Sequence, residues 1–345
     1  MSVLKVMAAA LGLLLTGTGA GAAEPYPARA ITMVVAYPAG GSMDASARLL
    51  ANALSAELGH KVVIHHVGGA NGMIGARRVV QAAPDGYTLL FATNSEAVIA
   101  PATDPNAGYQ TADLTPVAPV SSTAMVLVAH AGLPVTTVGD VAALAAARDT
   151  PLAVGITGVG TLQDILAQRF AAAADLRWLP VPYPGATAMM QDVIGGRLDF
   201  GVVTLPTALV YVKRRQVRPV AVFSAARSPL APAIPAINEG NSDLRYPVLE
   251  AWTGIFAPRG VPARVTTRLR SAMTNVLSDP ALAAQQRAMG THTPTPQAIS
   301  RFNGFVASQA AAWRPASAVD AAGAGANQVR QKGRSWDIRI FDGWP

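Results

Sequence analysis

From Ile31 onward, short β-branched runs alternate with stretches whose apolar positions recur every three or four residues. Ile31-Thr32-Met33-Val34-Val35-Ala36-Tyr37 has the nearly continuous apolar character of a buried strand. Ala45 to Leu58 then places Leu49, Leu50, Leu54 and Leu58 on one face, which predicts a helix. Lys61 to Ile64 is the next strand. Gly68-Gly69-Ala70-Asn71-Gly72 is a glycine-rich loop, and a helix continues to about Ala83. Pro84-Asp85-Gly86 is a turn, and Tyr87 to Ala92 is a third strand. This βαβαβ order predicts an α/β fold with a parallel, doubly wound sheet.

A second unit of the same style begins near Ala124. Its strands are predicted at 124–129, 152–155, 178–181, 198–203 and 217–223, and its helices at 138–147, 161–174, 186–194 and 206–214. A proline-rich passage, Ser228 to Pro235, leads to one more strand at Ala251 to Phe256. Three helices follow, at 262–277, 280–289 and 296–313, each opening on a proline as the first helical turn allows. The return to a strand at Trp252 predicts two lobes, residues 26–125 plus 250–315 and residues 126–249. Strand C-termini and helix N-termini would meet at the crevice between them, where open α/β sheets bind small ligands. Residues 316–345 show no period and are expected to be poorly ordered.

The N-terminus has a different pattern. Lys5 precedes ten apolar residues, Val6 to Leu15, and Ala20-Gly21-Ala22 offers a small-residue cleavage site. Residues 1–23 are therefore expected to be a signal peptide cut near Ala22 or Ala23, sending the mature chain to the periplasm. The apolar stretch is too short for a membrane span, which needs roughly 18 residues or more.

Composition narrows the chemistry. The 345 residues suit two domains, and 51% hydrophobic against 14% charged argues against a disordered chain. The chain has no cysteine, which removes disulfides, thiolate metal sites and cysteine nucleophiles. Its formal charge of +7 is spread singly. The longest basic run, Lys213-Arg214-Arg215, reads as a solvated helix end and not as a nucleic-acid stripe. The five histidines form no H-x-x-x-H pair, so no metal site is expected. His65 and His66 alternate at a strand end and read as bystanders. No G-x-S-x-G elbow is present.

Two strand-to-helix turns carry the candidate binding chemistry. In Tyr37-Pro38-Ala39-Gly40-Gly41-Ser42-Met43-Asp44, the glycines allow close backbone approach and positive φ, and Ser42 or Asp44 can cap the helix. The N–H groups there favour an anion, though a plain tight turn reads equally well. Its counterpart, Gly155 to Asp164, holds Thr157, Gly158, Gly160 and Thr161, whose hydroxyls and N–H groups would suit a carboxylate. Thr161 as a simple helix cap is the alternative.

The order and spacing of several motifs resemble one family, the periplasmic receptors of tripartite tricarboxylate transporters, also called the Bug family. The likeness spans Tyr26 to about Trp313. It rests on Tyr26-Pro27-Ala28-Arg29-Ala30-Ile31, Pro38 to Asp44, the glycines from Gly69 to Gly75, Ala83-Pro84-Asp85-Gly86-Tyr87-Thr88, Val181-Pro182-Tyr183-Pro184-Gly185, Gly195 to Asp199, Arg227-Ser228-Pro229 and Trp252 to Pro258. The resemblance implies a two-lobed, type II Venus-flytrap fold with a ligand cleft between the lobes. It implies a small organic carboxylate as ligand, membrane permease subunits as partners, no cofactor, and a monomer.

The family's ligand loops carry over to Tyr37, Ala39, Gly40, Gly41, Ser42 and Asp44, and to Thr157, Gly158, Gly160, Thr161 and Asp164. The loop Thr93-Asn94-Ser95 and Tyr183 are expected to face the cleft. Three departures stand out: His66-Val67-Gly68-Gly69 replaces the usual N-R-P-G, Leu162-Gln163-Asp164 replaces S-S-H, and Val203 sits where an aspartate is usual. The last implies a ligand without an ammonium group at that end. An exported sensor, or a hydrolase or lyase using Asp44 or Asp164 as base, remains the competing reading.

Overall fold

The computed structural model describes residues 25–239 and 249–313. The expected signal peptide and the tail from residue 316 lie outside them. Two five-stranded sheets organise the chain. In the first, β1 (Ile31–Val35), β2 (Val62–His66) and β3 (Thr88–Thr93) are parallel, in the order β2-β1-β3. The crossovers are made by α1 (Ser42–Leu58) and by α2 (Met73–Val80), which follows a turn at Ala70–Gly72. In the second, β6 (Leu152–Ile156), β7 (Trp178–Pro182) and β8 (Phe200–Thr204) are parallel, in the order β7-β6-β8. Here α5 (Leu162–Ala173) and α6 (Ala186–Ile194) cross over, after α4 (Val138–Ala146).

The remaining strands correct the expectation of parallel sheets. β10 (Ala251–Pro258) runs antiparallel between β3 and β4 (Leu114–Thr123), and β5 (Met125–His130) runs antiparallel between β8 and β9 (Val217–Val222). Both sheets are therefore mixed. The ten-residue β4 is also absent from the predicted elements. Its Pro116 and Pro119 argue against a strand by local rules, yet β4 lies at the sheet edge with β10 as its one neighbour. An edge strand tolerates missing N–H groups, and the register shifts twice along this pair.

Helices cover both sheets. On α1, Leu50, Leu54 and Leu58 are buried as the pattern predicts, while Leu49 is only partly covered. This face packs with α8 (Ala263–Leu277), beside α9 (Pro280–Met289), whose first turn is capped by Asp279. α10 (Ala298–Ala312) lies on β4, with Phe302 and Phe305 against Trp252 and Phe256. Beyond β3 a wide turn, Ser95–Ile99, continues into the short α3 (Ala100–Thr103). α7 (Leu205–Lys213) directly follows β8. No helix among the described residues is long and apolar enough to cross a membrane.

Candidate functional site

A cavity of about 420 Å³ opens where the C-terminal ends of β1, β3, β6, β7 and β8 face one another. The first turns of four helices reach it: Gly41 to Met43 of α1, Leu162 and Gln163 of α5, Gly185 to Ala188 of α6, and Thr204 with Thr207 of α7. A helix start carries N–H groups without intrahelical partners and the positive end of its dipole, and four such starts border the cavity. The N-caps Gly41 and Gly185 have no side chain to occupy those donors. The other polar residues of the lining are Tyr37, Thr93, Asn94, Ser95, Thr157 and Gln191. Among the described residues, none in the lining carries a charged side chain. An anion here meets neutral donors and dipoles, and Val203, Leu162, Pro38 and Ala251 supply apolar wall.

Of the residues expected from sequence, Tyr37, Ala39, Gly41, Ser42, Thr93, Asn94, Thr157 and Val203 line this cavity. Gly40, Asp44, Gly158, Gly160, Thr161, Asp164 and Tyr183 do not. The two aspartates instead brace the loops. Asp44 Oδ2 accepts the Gly40 N–H at 2.9 Å, and Asp164 Oδ2 accepts the Gly160 N–H at 2.8 Å, the same four-residue arrangement in both halves. Asp164 Oδ1 accepts from Gln168 at 2.7 Å. Asp44 Oδ1 faces Arg48 Nε at 2.8 Å and His66 Nε2 at 3.1 Å. Burial pushes the Asp44 carboxyl up, but the Gly40 N–H and the Arg48 guanidinium outweigh it and hold it below the usual range.

His66 is thus no bystander. Its Nδ1 lies 3.0 Å from the Tyr37 carbonyl oxygen and its Nε2 lies 3.1 Å from Asp44 Oδ1, so the ring spans from β2 to the loop before α1. Thr161 is the helix cap: its hydroxyl donates to the Gly158 carbonyl at 2.7 Å and accepts from the Asp164 N–H at 3.4 Å. The Tyr183 hydroxyl donates to Asp192 at 2.5 Å. The positive φ expected at Gly41 belongs to Gly40, at +87°; Gly41 has an ordinary φ of −92°. Gly41 lines the cavity, and a Cβ there would meet nothing within 4 Å.

Three hydrogen bonds cross from one sheet unit to the other around the cavity. Asn71 Nδ2 donates to the Val159 carbonyl at 2.5 Å, the Leu162 N–H donates to Ser95 Oγ at 3.3 Å, and the Thr207 hydroxyl donates to Ser42 Oγ at 3.1 Å. Sequence reasoning missed Gln163, Gln191, Thr204 and Thr207. Thr204-Leu205-Pro206 is a legible cap-then-proline helix start, which would have found the last two. It also missed Glu96, which is fully buried directly behind Tyr37 and Thr93. Its Oε1 accepts the Thr93 N–H at 2.7 Å, and its Oε2 accepts the hydroxyls of Tyr37 at 2.9 Å and of Thr93.

A bilobal α/β molecule whose helix starts surround an uncharged cavity has the makings of a small-solute receptor. The chain belongs to the family of tripartite tricarboxylate transporter family receptors, whose model matches residues 46–316. It is 30% identical over 312 residues to protein BugT of Bordetella pertussis, covering 88% of this chain and 94% of that one. Among solved structures it is similar to an R. palustris protein with adipate, at 29% identity and a TM-score of 0.77 over 84% of this chain and 96% of that one. It is also similar to the periplasmic binding protein BugD, at 27% identity and a TM-score of 0.77 over the same shares of each chain. Its family and structural neighbours are periplasmic solute-binding proteins.

Proposed function

We propose that this protein captures a small organic carboxylate in the periplasm and presents it to the membrane permease of a tripartite tricarboxylate transporter. The observation that carries this reading is the cavity wall. Four helix starts bring backbone N–H donors to it beside polar side chains, and no wall side chain among the described residues is charged. Fixed N–H dipoles replace the hydration that a carboxylate loses on entry. The apolar patch around Val203 and Leu162 favours a dicarboxylate with a hydrocarbon middle, and the R. palustris neighbour's adipate has that shape.

In this reading the lobes are residues 26–125 plus 250–315 and residues 126–249, and the bonds of Asn71, Ser95 and Ser42 hold them together around the ligand. The mature chain begins near Ala23 and acts as a monomer. A catalytic role is disfavoured because the two candidate bases, Asp44 and Asp164, are bound by loop N–H groups. The test is calorimetric titration of the purified mature protein with adipate, succinate and citrate beside arginine and glucose. Binding of the carboxylates alone is expected. Binding of arginine or glucose in their place refutes the proposal.

A further inference from the structure

The carboxyl of Glu96 sits behind the cavity wall, with no exposed surface, where three donors converge on it. Two are the hydroxyls of Tyr37 and Thr93, residues that both line the cavity. Their oxygens stand 3.3 Å apart, and the Ser95 N–H donates to Thr93 Oγ1 at 3.1 Å. An ionised carboxylate has only lone pairs to offer. While Glu96 is ionised, both hydroxyl protons therefore turn inward, and the two oxygens present lone pairs to the cavity. That stretch of wall repels an anion. A protonated Glu96 reverses the pattern: its O–H donates to one of the two hydroxyl oxygens, whose own proton is then released to point at the ligand.

We propose that Glu96 is a positioning residue that takes up a proton from solvent when a carboxylate enters the cavity, turning the Tyr37–Thr93 pair from acceptor to donor. The inference rests on the carboxylate reading of the cavity. Burial pushes the Glu96 carboxyl up to about 7, against the pull of the Thr93 and Tyr37 hydrogen bonds, so a nearby negative charge tips it at neutral pH.

The other groups facing Glu96 do not compete for this role. The Tyr37 hydroxyl is held well above its usual range by burial and by Glu96 itself. The Tyr109 hydroxyl donates to the Glu96 backbone carbonyl, not to its carboxyl. Arg77 on α2 and Asp104 at the end of α3 act on Tyr109. Among the described residues, Glu96 is in no ion pair with Lys, Arg or His.

The test is titration calorimetry with adipate in buffers of different ionisation enthalpy, which counts protons exchanged on binding. The wild type should take up about half a proton per adipate near pH 7, approaching one about a pH unit higher. Its Kd should loosen toward tenfold per pH unit there. Glu96→Gln keeps an N–H donor for the hydroxyl pair; it should exchange no proton and bind with a pH-independent Kd. If that variant does not fold, the infrared difference spectrum of the wild type, adipate-bound minus free at pH 7.5, should still gain a protonated-carboxyl band. Binding without proton uptake, uptake that Glu96→Gln retains, or a spectrum without that band overturns the role of Glu96 and leaves the carboxylate reading standing. Failure of adipate, succinate and citrate to bind at any pH removes the carboxylate reading and this inference with it.

Discussion

Replacing Gly158 by alanine separates the cost of folding from the cost of closing. Gly158 has φ of +130°, and a Cβ there would lie 1.7 Å from Asn71 Oδ1 and 2.6 Å from Asn71 Cγ. Asn71 must swing away, and its bond to the Val159 carbonyl is lost. Backbone strain at such a φ costs about 1–3 kcal/mol whether or not the lobes meet, so it appears as lost stability. The hydrogen bond exists only when the lobes are together. It is exposed, which puts its net worth near the lower end, about 0.5–1 kcal/mol. That corresponds to a roughly two- to fivefold weaker Kd for adipate. Urea unfolding reads the first quantity and calorimetry the second. Asn71→Ala should weaken Kd by the same factor, with a stability loss of its own because Asn71 has φ of +56°, and the double variant should bind no worse than Gly158→Ala. Unchanged affinity in folded Gly158→Ala, or additive losses in the double variant, refutes the latch.

Three further outcomes follow from the geometry. Gly41→Val should abolish adipate binding with little change in melting temperature, because Gly41 lines the cavity and a Cβ there has no protein atom within 4 Å; retained affinity by calorimetry would place the ligand elsewhere. Val203→Asp should weaken adipate at least tenfold by setting a carboxylate against it, measured by the same titration. The folded-state pKa of Asp44 is depressed, so its stabilising contribution is fully present above the unfolded value, about 4, and is lost as pH falls through the folded value. Acid unfolding curves of the wild type and Asp44→Asn should therefore differ at neutral pH and converge at low pH.

Much of the frame was legible because the two parallel βαβ series advertise themselves through period and glycine-marked turns. The misses have physical causes. β4 hides behind two prolines that only an edge position excuses, and an edge position is a property of the sheet, not of the segment. The antiparallel placing of β10 depends on chain returning from more than 120 residues away. At the site, lining residues were readable where a strand ends in a glycine-marked turn, as at Tyr37 to Ser42. Asp44 and Asp164 looked like ligand or catalytic groups because sequence gives a carboxylate's position and not its partner. Glu96 carries no local signal, since its role comes from burial and from Tyr37, 59 residues away.

The bracing of the two strand-to-helix loops by their own aspartates divides this protein into two sets of positions with different structural jobs. Asp44, His66, Asp164 and Thr161 fix where the loop backbone runs, and each change there disturbs several bonds at once. Thr187, Gln191 and Val203 contribute wall but do not hold the loops. Drift at these positions can retune which solute is taken while the scaffold stays intact. A lineage that duplicates such a receptor can therefore diversify its diet by a handful of substitutions, and libraries restricted to these wall positions are the economical route to new solute preferences.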